Sequence, residues 1–269
     1  MYDSEVRQPP LETLGRDLLE TSRGRLVVAL ATPFVCVALY SLFASLEWWP
    51  AAVLAVMAFS FFSYGSTSHD LVHRNFGLPG WINDTLLTVI EGLALRSGPA
   101  YRVSHLEHHR AFPDPSDAEG SPAHRSLLSS LIEGPIYIAR LQVWAWRRTR
   151  ARERRWIFLE SAWAVVFAAA GVMLWPAHPA VAVWGVLVFC GSWVFPFFLV
   201  YVQHDPKGEN ELFQTRAFRG RIIPALLLHH LYHLEHHLYP KVPAHHWREL
   251  SRRVSPFLQE AGVKTIRIP

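Results

Sequence analysis

The sequence predicts an all-α integral membrane protein: four transmembrane helices in two hairpins, with a cytoplasmic helical cap that holds clustered histidines. Three observations predict it. Four apolar runs are each long enough to cross a bilayer. Arginine and lysine avoid two of the three connections between those runs and crowd the third and the tail. The histidines fall into short clusters where the runs end and in the polar segments, with five of the fifteen inside the nonapeptide HHLYHLEHH, His229–His237.

Composition supports the class. Apolar residues make up 51% of the 269, aromatics 13% and charged residues only 18%. The net charge of +4, set among apolar blocks, points to an anionic membrane face and not to nucleic acid. The two cysteines, Cys36 and Cys190, lie inside apolar runs, so neither a disulfide framework nor a cysteine metal site is expected.

Taken in order, residues 1–25 are a polar lead-in with a short interfacial helix expected at Leu11–Leu19. It is too long and too acidic for a cleaved signal peptide, so the first span is expected to stay attached. The predicted spans are 26–46, 51–68, 156–175 and 180–203, and the cap comprises 69–155 and 204–269, all in one domain. The turns Glu47-Trp48-Trp49-Pro50 and Pro176-Ala177-His178-Pro179 are minimal and lack Lys and Arg. The 74–155 connection carries Arg140, Arg147, Arg148, Arg150, Arg152, Arg154 and Arg155, and the tail is similarly basic. Both termini and all clusters are therefore expected on the cytoplasmic side, in a bacterial cytoplasmic membrane. Within the cap, Trp81–Leu95 and Leu127–Trp146 are amphipathic. Ile222–Leu228 is apolar but too short to span.

His69 and His73 are spaced i, i+4. His105, His108 and His109 pair at i, i+3 and i, i+4, and His233, His236 and His237 repeat that pattern. Such spacings put imidazoles on one helix face, suited to chelation. With His204 at the end of the fourth run, nine imidazoles are available, too many for one metal and suited to two. Imidazole suits iron, copper and zinc, but zinc usually takes four ligands, so redox metals fit best. His124, His178, His245 and His246 are each isolated or lone pairs and are expected to be structural. His229 and His230 are candidates for an extra ligand or a donor behind the ligands. Asp70, Glu107 and Glu235 are candidate acceptors for imidazole N–H groups, whereas Asp114 and Asp117 are expected to be turn and cap residues. Phe61, Phe62, Trp193 and Phe197 are candidate linings of an apolar substrate tunnel.

HDLVH, HLEHH and HLEHH, in this order over four spans and followed by Tyr239-Pro240-Lys241-Val242-Pro243, resemble the membrane fatty acid desaturase superfamily. That superfamily includes acyl-lipid desaturases and the similar carotenoid hydroxylases and ketolases. The resemblance covers residues 26–247. It implies two iron ions held by His69, His73, His105, His108, His109, His204, His233, His236 and His237, with O2 as co-substrate and hydrogen removed from an unactivated C–H bond. The short first box is shared by acyl-lipid desaturases and the carotenoid enzymes, so the leading expectation is a lipid desaturase and the alternative a carotenoid hydroxylase or ketolase. The substrate would be a lipid or other long apolar molecule drawn from the bilayer. No flavin, dinucleotide or haem motif is present, so electrons would come from a separate ferredoxin or cytochrome b5 type donor. A membrane metal transporter or sensor is the rival of a different class. It would place its ligands near the bilayer midplane and not at helix ends.

Overall fold

The computed structural model describes residues 8–269; the first seven residues of the polar lead-in, and the N-terminus assigned to the cytoplasm, lie outside the described residues. The lead-in forms α1 (Leu11–Leu14) and a 3-10 turn at Arg16–Leu19, separated by Gly15 at φ 115. The expected single interfacial helix is therefore broken in two. Arg253 reaches this break, bonding Leu14 O and the Asp17 carboxylate.

Four long helices follow the apolar runs. α2 (Arg23–Ser45) starts at Ser22, whose hydroxyl caps Arg25 N–H. A tight turn with Glu47 at φ 55 leads into α3 (Trp49–Phe62), which packs along α2. α3 does not run straight to His69. It widens into a π-helical segment, Ser63–Ser68, and resumes as α4 (His69–His73). One residue more per turn rotates the register just before the first histidines, a common device at functional sites. α5 (Gly80–Leu93) and α6 (Gly98–Ala111) come next, followed by α7 (Leu127–Ile132) and α8 (Gly134–Arg148). The amphipathic stretch Leu127–Trp146 is thus two helices, split at Glu133-Gly134-Pro135. α9 (Ala151–Leu174) and α10 (Pro179–Trp193) form the second pair of long helices. α10 also widens, into a π-helical Pro196–Tyr201, before His204.

Beyond it lie β1 (Ala217–Arg219), α11 (Ile222–Leu226), α12 (His233–Leu238), α13 (Trp247–Glu260) and β2 (Thr265–Arg267). β1 and β2 pair in parallel, with Ala217 opposite Thr265. This small sheet and an isolated antiparallel bridge between His204 and Thr215 are the departures from all-α structure among the described residues.

The long helices expose an apolar wall. Val27, Val28, Val35, Leu54, Met57, Val165, Val166, Val172 and Met173 on the long helices are all exposed. Such a wall is unfavourable in water and natural in hydrocarbon. The core among the helices is Tyr40, Ala52, Val56, Phe59, Trp184 and Val188. The C-terminal segment has its own core around Trp247, Leu250, Val254, Leu258 and Leu234. α13 is amphipathic and lays its apolar stripe under α12, which carries the third histidine cluster.

Candidate metal centre

Each cluster is delivered by a defined local device. α4 presents His69 and His73 and ends at Arg74, whose φ of 59 stops the helix. The segment after α12 then clamps onto it. Asn75 Nδ2 donates to Pro240 O at 3.1 Å and Lys241 Nζ to His73 O at 3.2 Å, and Ala244 N donates to the Asp70 carboxylate at 3.1 Å. Asp70 is thereby corrected: its other partner is Asn75 Nδ2 at 3.2 Å, and it ties the first cluster to the third without accepting from an imidazole. α6 starts at Ser97, whose Oγ accepts from Ala100 N and donates to Glu160 of α9 at 2.5 Å. That fixes the helix that carries His105, His108 and His109.

The imidazoles converge in two groups. In the first, His105 Nε2 lies 3.1 Å from His69 Nε2, which lies 3.1 Å from His236 Nε2. His109 Nε2 closes the ring, 2.8 Å from His236 and 3.2 Å from His105. His73 stands against this ring with its buried Nε2 unpartnered. In the second group, His204 Nε2 lies 2.9 Å from His108 Nε2 and 3.2 Å from that of His237, which is 3.1 Å from His233 Nε2. The His109 and His237 rings, 4.3 Å apart, join the groups.

These separations fit metal binding. At a metal–nitrogen distance of about 2.1 Å, ligands at right angles lie ~3 Å apart. Without a cation the same nitrogens would crowd lone pairs, and His73 Nε2 would be buried with no partner. At five of the nine, protonation does not relieve the crowding. Burial holds His109, His204, His233, His236 and His237 well below the usual imidazole range, and the neighbouring imidazoles add to it. Neutral nitrogens with free lone pairs are what a metal requires.

Two carboxylates orient the second cluster from behind, and both come from the loop after α6. Asp117 Oδ2 accepts from His108 Nδ1 at 2.6 Å, and Glu119 Oε1 accepts from His105 Nδ1 at 2.7 Å. This corrects the expectation for Asp117. It does serve its turn, its Oδ1 accepting from Glu119 N at 3.0 Å, but its main partner is an imidazole. Burial alone would depress His108, yet the Asp117 hydrogen bond and charge outweigh it and hold that group above its usual value. Glu119 was not singled out from the sequence. Its signal was its place two residues beyond Asp117 in the same turn, with Tyr137 Oη donating to its carbonyl at 3.0 Å. His204 Nδ1 donates to Val200 O at 2.9 Å, which fixes the third such tautomer. Asp114 accepts from Ser116 N, as a turn residue should.

The other candidates fall elsewhere. Glu107 pairs with Arg110 on the surface, i, i+3 on α6, away from the imidazoles. Glu235 is fully buried on the opposite side of α12 from the site and forms an ion pair with Arg219 at 2.7 Å. His229 turns outward beside Tyr232, whereas His230 is buried and faces the centre. His245 stacks on His246, which donates to Glu20 O, and neither joins the groups. Trp247, unforeseen from the sequence, floors the site 4.8 Å from the His236 ring and 5.3 Å from that of His69.

An internal cavity of about 20 Å³ abuts the imidazoles; Tyr64, Tyr101, Tyr137, Phe195, Leu199 and Val200 form its apolar walls. None of the four aromatics expected to line a tunnel is there. Phe62 and Trp193 are exposed on the outer surface, with Trp193 Nε1 donating to Leu131 O, and Phe197 stacks on Tyr201. The reason is rotation. Phe195 and Leu199 share a helix face, and Phe197, two residues from each, lies roughly on the opposite side.

Replacing Asp117 by Ala should leave the fold intact and weaken metal retention roughly 10–100-fold, the usual cost of losing a carboxylate behind a ligand. Gly120→Ala should act in the same direction, because a Cβ there would fall 2.2 Å from Asp117 Oδ2. Chelator competition on the purified protein measures both.

No curated protein matches the chain. The family model described as fatty acid desaturase matches residues 46–269, a stretch that includes every histidine named above. The chain thus belongs to the fatty acid desaturase family and is a membrane non-haem di-iron oxidoreductase.

Proposed function

We propose that this protein is an O2-dependent desaturase of a fatty acyl chain, with the four spans and cap acting as one catalytic domain. One observation carries the reading: eight imidazoles converge in two groups of four, with His109 Nε2 2.8 Å from His236 and 3.2 Å from His105 as the ninth, at the ends of membrane-spanning helices and against an aromatic-walled cavity. His69, His73, His105, His109 and His236 would hold one iron, and His108, His204, His233 and His237 the other. Such a pair, when bound, supplies activation of O2 with two electrons and removal of two hydrogens from adjacent methylenes, leaving a double bond and water.

The chain's own residues supply the rest. Glu119, Asp117 and Val200 O hold His105, His108 and His204 with Nε2 toward the centre. Tyr64, stacked on Tyr101 and Phe195 with ring centroids 4.5 and 4.1 Å apart, shields the cavity from water. Arg96 lies over the Tyr64 ring and is neutralised by buried Glu91 at 2.8 Å, which locks that wall. An acyl chain entering from the bilayer would press its methylenes against these rings. Electrons would arrive from a separate ferredoxin or cytochrome b5 type protein on the basic face, which the distribution of Arg and Lys assigns to the cytoplasm. Phe112, 4.7 Å from the His204 ring and 5.3 Å from that of His108, also lines a surface cleft beside Lys207 and Arg216.

Lipid and pigment profiles of a host expressing the wild type, set against one expressing His236→Ala, test the reading. New unsaturated acyl chains that vanish in the variant support it. Oxygenated carotenoids with unchanged acyl chains would replace it by the hydroxylase or ketolase reading.

A further inference from the structure

A tenth imidazole faces the centre without joining either group. His230 is buried, with 7% of its surface exposed, and its Nε2 has no hydrogen-bond partner among the described residues. It lines the 20 Å³ cavity together with His69 and His105 of one group and His108 and His233 of the other. Its ring centroid stands 6.1 Å from that of His69, and its Nε2 makes none of the short contacts that join the nine. Two features of the chain put it there. Leu228 and His229 both adopt left-handed backbone, at φ 50 and φ 65, which is uncommon for residues with a Cβ and turns His229 out and His230 in. Gly65, in the π-helical segment above, leaves the space: a Cβ there would fall 2.5 Å from His230 Nε2.

A buried nitrogen with no partner needs one, and a cavity of this size accommodates about one water. An occupant would touch both imidazole groups at once. We propose that His230 is a positioning residue and not a metal ligand: it is the hydrogen-bond partner of a small exogenous ligand, such as water, dioxygen or azide, held in this cavity between the two groups. A neutral imidazole offers one donor and one acceptor. The inference rests on the two-metal reading above.

The test uses iron-loaded, purified wild type, His230→Ala, His230→Asn and Gly65→Ala, with iron per chain measured first and azide then titrated by its optical charge-transfer band. His230→Ala should keep the wild-type iron content and bind azide about 10-fold more weakly, the effect of one hydrogen bond to a charged group. His230→Asn should recover part of that affinity. Gly65→Ala, which pushes the imidazole away and leaves it in the chain, should match His230→Ala. Loss of one iron in both His230 variants would make His230 a ligand and overturn the inference. So would wild-type azide affinity in iron-replete His230→Ala or Gly65→Ala. A wild type that holds no iron overturns the two-metal reading itself, and is distinguished by the first measurement.

Discussion

Replacing His236 by Ala should remove one iron of two and abolish turnover. Its Nε2 is the meeting point of the first group, 3.1 Å from that of His69 and 2.8 Å from that of His109. Its loss opens the ring at the joint between α12 and both other clusters. The second group contains no His236 contact of this kind, so it should keep its metal. His237→Ala is the mirror experiment: it breaks the His204–His237–His233 series and should spare the first group. Each variant should lose far more activity than the roughly 10–100-fold typical of carboxylates behind a ligand. The two losses should not add, because either one disables the pair. Metal analysis and product assay on membranes check this. Equal retention of both irons in His236→Ala, or loss of both irons in each variant, would contradict the division into two groups.

That division shows how much of the site can be read from sequence. The i, i+3 and i, i+4 spacings guarantee that each cluster presents its imidazoles on one face, and the run boundaries place the clusters at one end of the spans. What spacing does not encode is which clusters share a metal. The structure groups His105 and His109 with the first cluster and His108 with His204, so one helix turn of α6 serves both groups. The carboxylates were harder still. Asp117 and Glu119 lie in a Pro-, Ser- and Gly-containing turn, where acids ordinarily cap backbone N–H groups, and composition does not separate the two roles. Glu107 and Glu235 sit inside HLEHH motifs and looked better placed. Yet a residue between ligands on a helix points away from them, so Glu107 meets solvent and Glu235 meets Arg219. The four candidate aromatics lie outside the small cavity for a related reason. Phe61 and Phe197 belong to runs that are apolar all round, and in such runs nothing in the pattern tells a wall facing lipid from a wall facing a cavity. The π-helical segments then shift the register by a fraction of a turn at the place where it matters.

The ion pair beneath α12 leads to the largest expected effect on stability. Glu235 is wholly buried, and Arg219 of β1 is its partner at 2.7 Å with 20% of its side chain exposed. The two residues are unequal. If Glu235 becomes Gln, Arg219 can turn toward water and recover most of its solvation. If Arg219 becomes Met, the wholly buried Glu235 carboxyl is left with no cation. Removing one partner of a buried pair costs about 3–5 kcal/mol, a large share of the roughly 5–15 kcal/mol that holds a domain together. Arg219→Met should therefore destabilise strongly, Glu235→Gln mildly, and the double variant should resemble Glu235→Gln. That order distinguishes an uncompensated charge from simple loss of contact, under which the two single variants would be alike. The consequence reaches the metal, because α12 carries His233, His236 and His237 and is held from below by this pair and by Tyr232 Oη donating to Gly220 O at 2.8 Å. Thermal unfolding in detergent, followed together with iron release, should show Arg219→Met losing metal at a lower temperature than wild type. Glu235→Gln should lose it near the wild-type temperature, although it alters a residue flanked by two of the histidines.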